Sequence, residues 1–297
     1  KEYEMLDFQN NVAQFNQSAF TLKSELDFQI AFEQTRSADH KYLVATTGAK
    51  AGQVLSVVNN SFNCVSHPNF YNNVFNVMTS GLEAHELEDV QVNWKTGANG
   101  CWSAADINFP GTVRKITTDM HEVEVRFRMV LGHGLSGLQS NTAMYGSIDW
   151  YCHNGQFSSA IDAVSNIKKK NSKNFNIDTF LTVLSAHKND FLRDTQHMQQ
   201  WADFDISKLD VKETMRKIVG LESKADALTE LYEGVERPTR GANLYSLFSC
   251  MTNYSSHTLG NGFELRKTGK DNDAMSMAKR EAEVQKWISS PLFEMAA

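Results

Sequence analysis

From Glu122 to Met129 the chain alternates with a strict period of two. Val123, Val125, Phe127 and Met129 fall on one side, and Glu122, Glu124, Arg126 and Arg128 on the other. Successive side chains of a strand point to opposite faces, so this pattern predicts a half-buried strand with a charged open face. Glycines at 132, 134 and 137 follow and predict a tight hairpin turn. A second strand-like run then ends in Tyr145, Ile148, Trp150 and Tyr151, before Asn154-Gly155 breaks it. An antiparallel sheet is the first constraint on the fold.

The flanking segments extend that picture. Residues 1–40, rich in Asn, Gln and Phe, are expected to form an arm, a short helix or extended segment around Leu22, Leu26, Phe28, Ile30 and Phe32 that packs on the body or on another subunit. Tyr42 to Val58 predicts a hairpin, with YLVATT and QVLSVV joined by GAKAG. Asn69 to Leu82 has apolar residues at Phe70, Val74, Val77 and Met78, the spacing of a helix, with Pro68 near its start and Gly81 at its end. Strands are expected at Val90–Trp94 and Cys101–Phe109, the latter stopped by Pro110-Gly111, with an extension over Val113–Ile116.

Phe157, Ile161, Val164 and Ile167 predict a helix face running into Lys168-Lys169-Lys170. Beyond Ile177 the periodicity is helical. One helix is expected through Phe180, Leu184, His187 and Leu192, others at Val211–Gly220, Ala225–Tyr232 and Gly241–Tyr254, an exposed loop over 258–274, and a last amphipathic helix over Met275–Ile288. The expected class is α+β: an antiparallel sheet with flanking helices, followed by a helical C-terminal half. The expected division is an arm (1–40), a sheet core (41–175) and a helical region (176–297).

Composition narrows the function classes. A net charge of −6 excludes a globally basic nucleic-acid binder. The charge is uneven, however: residues 1–100 carry 6 basic and 11 acidic side chains, whereas residues 110–173 carry 8 basic and 5 acidic. A local basic patch can act within a Debye length of about 10 Å. No apolar stretch approaches the roughly 18 residues of a membrane span, and KEYEMLDFQNN lacks the apolar run of a signal peptide. Cys64, Cys101, Cys152 and Cys250 form no CxxC pair and are expected to be reduced and buried. A cytoplasmic location without a membrane partner is the expectation.

Signals for chemistry are weak. Cys152-His153, with His133, His257 and Cys101 as distant partners, does not have the spacing of a zinc site. The run from Gly132 to Gly137 has the glycines of a phosphate loop but lacks its Lys-Ser/Thr ending. Asp106, Asp119 and Asp149 have no spacing that forces them together. No metal or other cofactor is expected.

What remains is a basic sheet face. Arg126 and Arg128 are flanked by Arg114 and Lys115 and by the aromatics Trp94, Trp102, Trp150 and Tyr151, with Trp150 expected in the core. Lys95 and Trp102, near the Gly97–Gly100 turn, are expected to be exposed. Cations that neutralise phosphates, together with rings on which bases stack, are what sequence-tolerant single-strand binding requires. Lys168, Lys169, Lys170 and Lys173 read either as further phosphate contacts or as cations at a helix C-terminus, where they complement its dipole.

Four runs in order resemble the phage/plasmid-like protein family known as domain of unknown function 932. They are Gln53–Met78, Val92–Pro110, Glu122–Gln156 and Arg240–Thr258. In the third, Leu131-Gly132-His133-Gly134 stands where the family has a Ser-His/Tyr-Asp-Gly turn, without its Asp, and Cys152-His153-Asn154-Gly155 stands at the end of the second strand. In the fourth, Asn243, Thr252, Tyr254 and His257 loosely follow an Asn-Ala-x-Thr-x-Tyr-x-x-His helix. The resemblance, over residues 40–288, implies a phage or plasmid gene product and brings no activity with it. The layout of helix, hairpins and helices is also similar to phage single-strand annealing proteins of the Red beta and Erf kind, an analogy of fold only.

The expected function is therefore single-stranded DNA binding, with strand annealing by a homo-oligomer, through Lys95, Trp102, Arg114, Lys115, Arg126, Arg128, Lys168, Lys169, Lys170 and Lys173. Two rivals stand beside it. One is a phage structural or host-interaction protein without a nucleic-acid role; the other is an enzyme acting on a nucleotide or nucleic acid through His133 or His153.

Overall fold

A computed structural model describes residues 22–80, 82–137, 140–149, 155–157, 167–171, 173, 175–187, 190–256, 280 and 283–296. Its class is α+β, with antiparallel sheets and with helices mostly in the C-terminal half. The chain divides into two compact units. Unit 1 comprises residues 1–112, 129–144 and 166–188, and unit 2 comprises residues 113–128, 145–165 and 189–297.

Unit 1 holds a three-stranded sheet of β1 (Ile30–Gln34), β2 (His40–Ala45) and β3 (Val54–Asn59), in that order. The predicted β2–β3 hairpin is present. Its connector turns through left-handed glycines at Gly48 (φ 70°) and Gly52 (φ 82°), and at Gly48 a Cβ would lie 2.3 Å from the Asp27 carbonyl oxygen. β1 is an addition to the expectation: the end of the arm is a strand, in register Ile30↔Ala45 and Phe32↔Leu43. Its inner face closes a core of Phe28, Leu43, Ala45, Val58, Phe62, Cys64, Cys101 and Leu135.

Helix α1 (His67–Thr79) starts on Ser66, whose hydroxyl accepts from the Asn69 amide, with Pro68 in its first turn. It ends two residues before Gly81, because Thr79 and Ser80 hydroxyls take up the Phe75 and Val77 carbonyls. Its buried face, Phe70, Tyr71, Val74 and Phe75, packs on the second sheet through Tyr71–Trp94 (centroids 4.8 Å apart) and Phe75–Phe109 (6.4 Å). On its other side Phe70 meets Phe180 of α2 (Ile177–His187) at 5.5 Å.

The second sheet has the order β4 (Gln91–Gly97), β5 (Trp102–Thr117), β6 (Glu122–Gly134), β7 (Asn141–Asp149), β8 (Gly155–Phe157), with β9 (Ile167–Lys169) also pairing with β7. Strands β5, β6 and β7 are divided between the units. Several expectations are corrected here. Pro110-Gly111 does not stop β5. The β4 ladder ends at Gln91↔Asn108, so the missing proline N–H falls beyond it. Across this point the buried side switches from Ser103, Ala105, Ile107 and Phe109 to Thr112 and Ile116.

Gly111 is there because a Cβ would sit 2.1 Å from the His85 carbonyl oxygen. Gly111→Ala should therefore lower stability by about 3 kcal/mol, the upper end of overpacking, since the obstacle is backbone. A urea midpoint unchanged within error would contradict this packing.

Gly132 and Gly134 are strand residues, not turn residues: a Cβ at Gly132 would lie 2.4 Å from Thr142 Oγ1. The predicted helix through Phe157 and Ile167 is replaced at both ends by strands β8 and β9, with Lys168 opposite Thr142 and Lys169 opposite Asn141. The lysines thus do not close a helix. Ile161 and Val164 lie outside the described residues.

In unit 2, α3 (Asp190–Asp203) is separate from α2, so Leu192 belongs to a different helix from Phe180. α4 (Val211–Val219) runs between an Asp210 cap and a left-handed Gly220 (φ 71°), as the sequence predicts. α5 (Glu222–Leu231) does not end near Tyr232 but continues through a π-turn (Tyr232–Glu236) to Arg240. In α6 (Leu244–Ser256) every residue but Asn253 is buried. Trp201 of α3 packs between Phe248 and Phe293 and donates to the Phe293 carbonyl (3.2 Å), which anchors an additional short helix, α7 (Pro291–Met295). Of the last predicted amphipathic helix, residues 283–288 are helical; the expected loop over 258–274 lies outside the described residues.

Candidate functional site

Several loops of unit 1 meet at one end of the second sheet. Here β4 ends at Gly97 opposite Trp102. The Leu135 amide donates to the Cys101 carbonyl (2.7 Å), so the β6 end lies beside the β5 start. Asn141, at the start of β7, accepts from the Gly134 amide (3.4 Å) and faces Lys169 across the β7–β9 ladder. Asn171 donates to the Gly134 carbonyl and accepts from Asn141, which pins the segment after β9. The end therefore extends over four strand steps, roughly 19 Å at about 4.8 Å each.

This end carries Lys95 and Trp102, which share the open face of the β4–β5 ladder. Gly97 faces Trp102, and Lys95 faces Ala104. Lys95 is exposed and Trp102 half-buried, its ring so near Gly97 that a Cβ there would lie 3.1 Å from Cε3. Lys170 and Lys173 are exposed. Lys50, a fourth lysine that the sequence reading passed over, belongs to the β2–β3 connector and donates to the Asn99 carbonyl. The only trace of it in the sequence is its place between the glycines of GAKAG. Glu25 lies close by and accepts from the Thr96 hydroxyl (2.6 Å).

The basic residues of unit 2 are arranged differently. Arg114 is half-buried and donates to its own neighbour, the Val113 carbonyl (2.8 Å). Lys115 pairs with Glu122 at 2.8 Å, and Arg126 lies 3.5 Å from Glu124 with a mostly buried side chain. Arg128, expected on the open face, is 1% exposed. From Phe127 onward both sides of β6 are buried, so the period-two rule of the strand's first half no longer separates solvent from core. Of the ten predicted residues, Lys95, Trp102, Lys170 and Lys173 belong to the sheet end of unit 1, with Lys168 and Lys169 on the adjoining β9, and Arg114, Lys115, Arg126 and Arg128 belong to unit 2. Trp94 points inward to Tyr71. Trp150, Tyr151, Cys152, His153 and His257 lie outside the described residues.

Directly beneath the sheet end is a buried polar chain. His67 of α1 donates through Nε2 to the Gly100 carbonyl (2.7 Å). That bond fixes the tautomer and leaves Nδ1 to accept. His133 Nδ1 approaches it at 2.7 Å, Ser103 Oγ at 3.0 Å, and the Tyr71 hydroxyl reaches Ser103 at 2.9 Å. The His133 ring stacks on Phe70 at 4.3 Å. Both histidines are 0% exposed. Burial lowers the His67 pKa to about 4, with a smaller lowering from the Lys50 charge, and pushes that of His133 well below the usual value, with His67 adding to the effect. Both rings are therefore neutral at pH near 7. Both rings are completely buried, and His133 Nε2 has no hydrogen-bond partner among the described residues, so at His133 no ring nitrogen faces solvent.

Among the described residues no group of three His, Cys, Asp or Glu side chains could hold a metal, and Asp106 and Asp119 belong to different units. Cys64, Cys101 and Cys250 are free and buried, with burial pushing the Cys64 thiol up to about 12. Among the described residues no helix is long and apolar enough to cross a membrane. No family model, no curated protein and no solved structure matches the chain.

Proposed function

We propose that the chain is a phage or plasmid protein that binds single-stranded DNA, and that it anneals complementary strands as a homo-oligomer in the host cytoplasm. The observation that carries this reading is that Lys95 and Trp102 share the open face of the β4–β5 ladder at one end of the second sheet, with Lys170 and Lys173 exposed just beyond β9 at the same end. The cations meet phosphates, and the ring offers a face to a base. Arg114, Lys115, Arg126 and Arg128 drop out of the contact set, because their charges are engaged within the protein or buried.

The test is a set of variants titrated with a labelled single-stranded oligonucleotide. Trp102→Ala should weaken binding about tenfold, within the range for one stacked base. Lys170→Ala with Lys173→Ala should weaken it and flatten its salt dependence, while Lys115→Ala leaves it unchanged. Binding by Trp102→Ala as tight as by the wild type would overturn the proposal.

One observation favours the second reading, an assembly or host-interaction protein. The outer face of the β1–β2–β3 sheet exposes Tyr42 (37%) opposite Val57 (56%). On that reading the chain self-associates without DNA and independently of salt, which light scattering at low and high ionic strength would reveal.

A further inference from the structure

The turn that carries Trp102 has a backbone that L residues avoid. Ala98 (φ 50°), Asn99 (φ 54°) and Gly100 (φ 76°) are all left-handed in succession. Such a run persists only where its surroundings over-determine it. Here two side chains from outside the hairpin grip successive carbonyls: Lys50 takes that of Asn99, and His67 takes that of Gly100 at 2.7 Å. His67 is itself held from behind by His133 and Ser103, and neither histidine has any solvent exposure. The turn in turn sets the pairing of Gly97 with Trp102, and hence where the indole lies.

We propose that His67 is a positioning residue for the DNA-binding platform: its bond to the Gly100 carbonyl, backed by His133, locks the left-handed turn and so fixes the Trp102 ring. This rests on the reading of the sheet end as a single-strand interface. His67 touches no ligand and acts through the backbone.

The experiment uses the full chain with His67→Phe, His67→Gln, His67→Asn, Trp102→Ala and the double variant His67→Phe/Trp102→Ala. An oligothymidylate titration reads affinity, and amide hydrogen exchange over residues 96–103 reads the turn. His67→Phe is expected to bind about tenfold more weakly than wild type in the Trp102 background, with faster exchange, and to have no further effect once Trp102 is Ala, the coupling expected of groups that act as one unit. His67→Gln should restore both readouts, since its amide reaches Gly100. If Phe at position 67 abolishes cooperative unfolding, the Gln and Asn variants carry the test, for the shorter Asn amide keeps Ser103 but falls short of Gly100 and alone should lose affinity.

Equal exchange in His67→Phe and wild type, or losses that add in the double variant, would overturn the inference. Failure of the parent reading looks different: wild type and Trp102→Ala would bind alike or not at all. The exchange of residues 96–103 would then still decide whether His67 holds the turn.

Discussion

Acidification from about pH 7 to about pH 4.5 is expected to destabilise unit 1 by about 2.5 kcal/mol through His67 alone, the amount that follows from lowering one site from 6.5 to about 4. The sign follows from proton uptake. Both His67 and His133 have folded-state pKa values below their unfolded ones, so below about pH 6.5 the unfolded chain binds protons that the native state refuses. Stability is therefore full above about pH 6.5, falls as the pH drops toward 4, and levels once His67 is protonated in the fold as well. His133, more deeply shifted and in contact with His67, acts in the same direction. Urea midpoints at a series of pH values measure the effect. His67→Gln combined with His133→Phe should flatten the curve between about pH 6.5 and 4.5. A midpoint independent of pH in the wild type would mean that the two rings are not buried as a neutral pair.

The second large effect belongs to unit 2. Glu236 and Arg240, each 1% exposed, face one another one helical turn apart where the chain leaves the π-turn. Removing one partner leaves a buried charge without its counter-ion, so Arg240→Met and Glu236→Leu should each destabilise by about 3–5 kcal/mol. Replacing both together should recover most of the loss, because the desolvation penalty of two ions disappears along with their attraction. Single variants that lose less than about 1 kcal/mol in urea unfolding would show that water reaches this pair.

Elements whose cause is local were legible in the sequence. The β2–β3 hairpin declares itself through GAKAG, whose glycines take the two left-handed positions. α1 and α4 declare themselves through caps and proline, with Ser66, Asp210, Pro68 and Gly220 in the places helix ends require. Elements defined by a partner were not legible. Gly155–Phe157 and Ile167–Lys169 are too short to show a period and are strands because β7 offers them an edge. Arg128 fits the alternation, yet it lies where β6 is covered on both sides, and only tertiary structure decides that. Lys95 and Trp102, which stand on either side of one visible turn, followed from the sequence, as did the lysines at 170 and 173. The remainder did not: Lys50 and His67 lie 49 and 33 residues from their turn carbonyls and reach them only in the fold.

The central claim is that unit 1 grips the phosphates and a base of single-stranded DNA, and titration of the full chain with a fluorescent oligonucleotide at about 50 and 200 mM salt tests it most directly. With phosphates met by Lys95, Lys170 and Lys173, the log–log slope should be about −2, and affinity should fall about twentyfold across that range. Absence of binding at about 50 mM salt, or binding insensitive to salt, would contradict the account and leave the exposed Tyr42–Val57 face as the surface through which the chain acts.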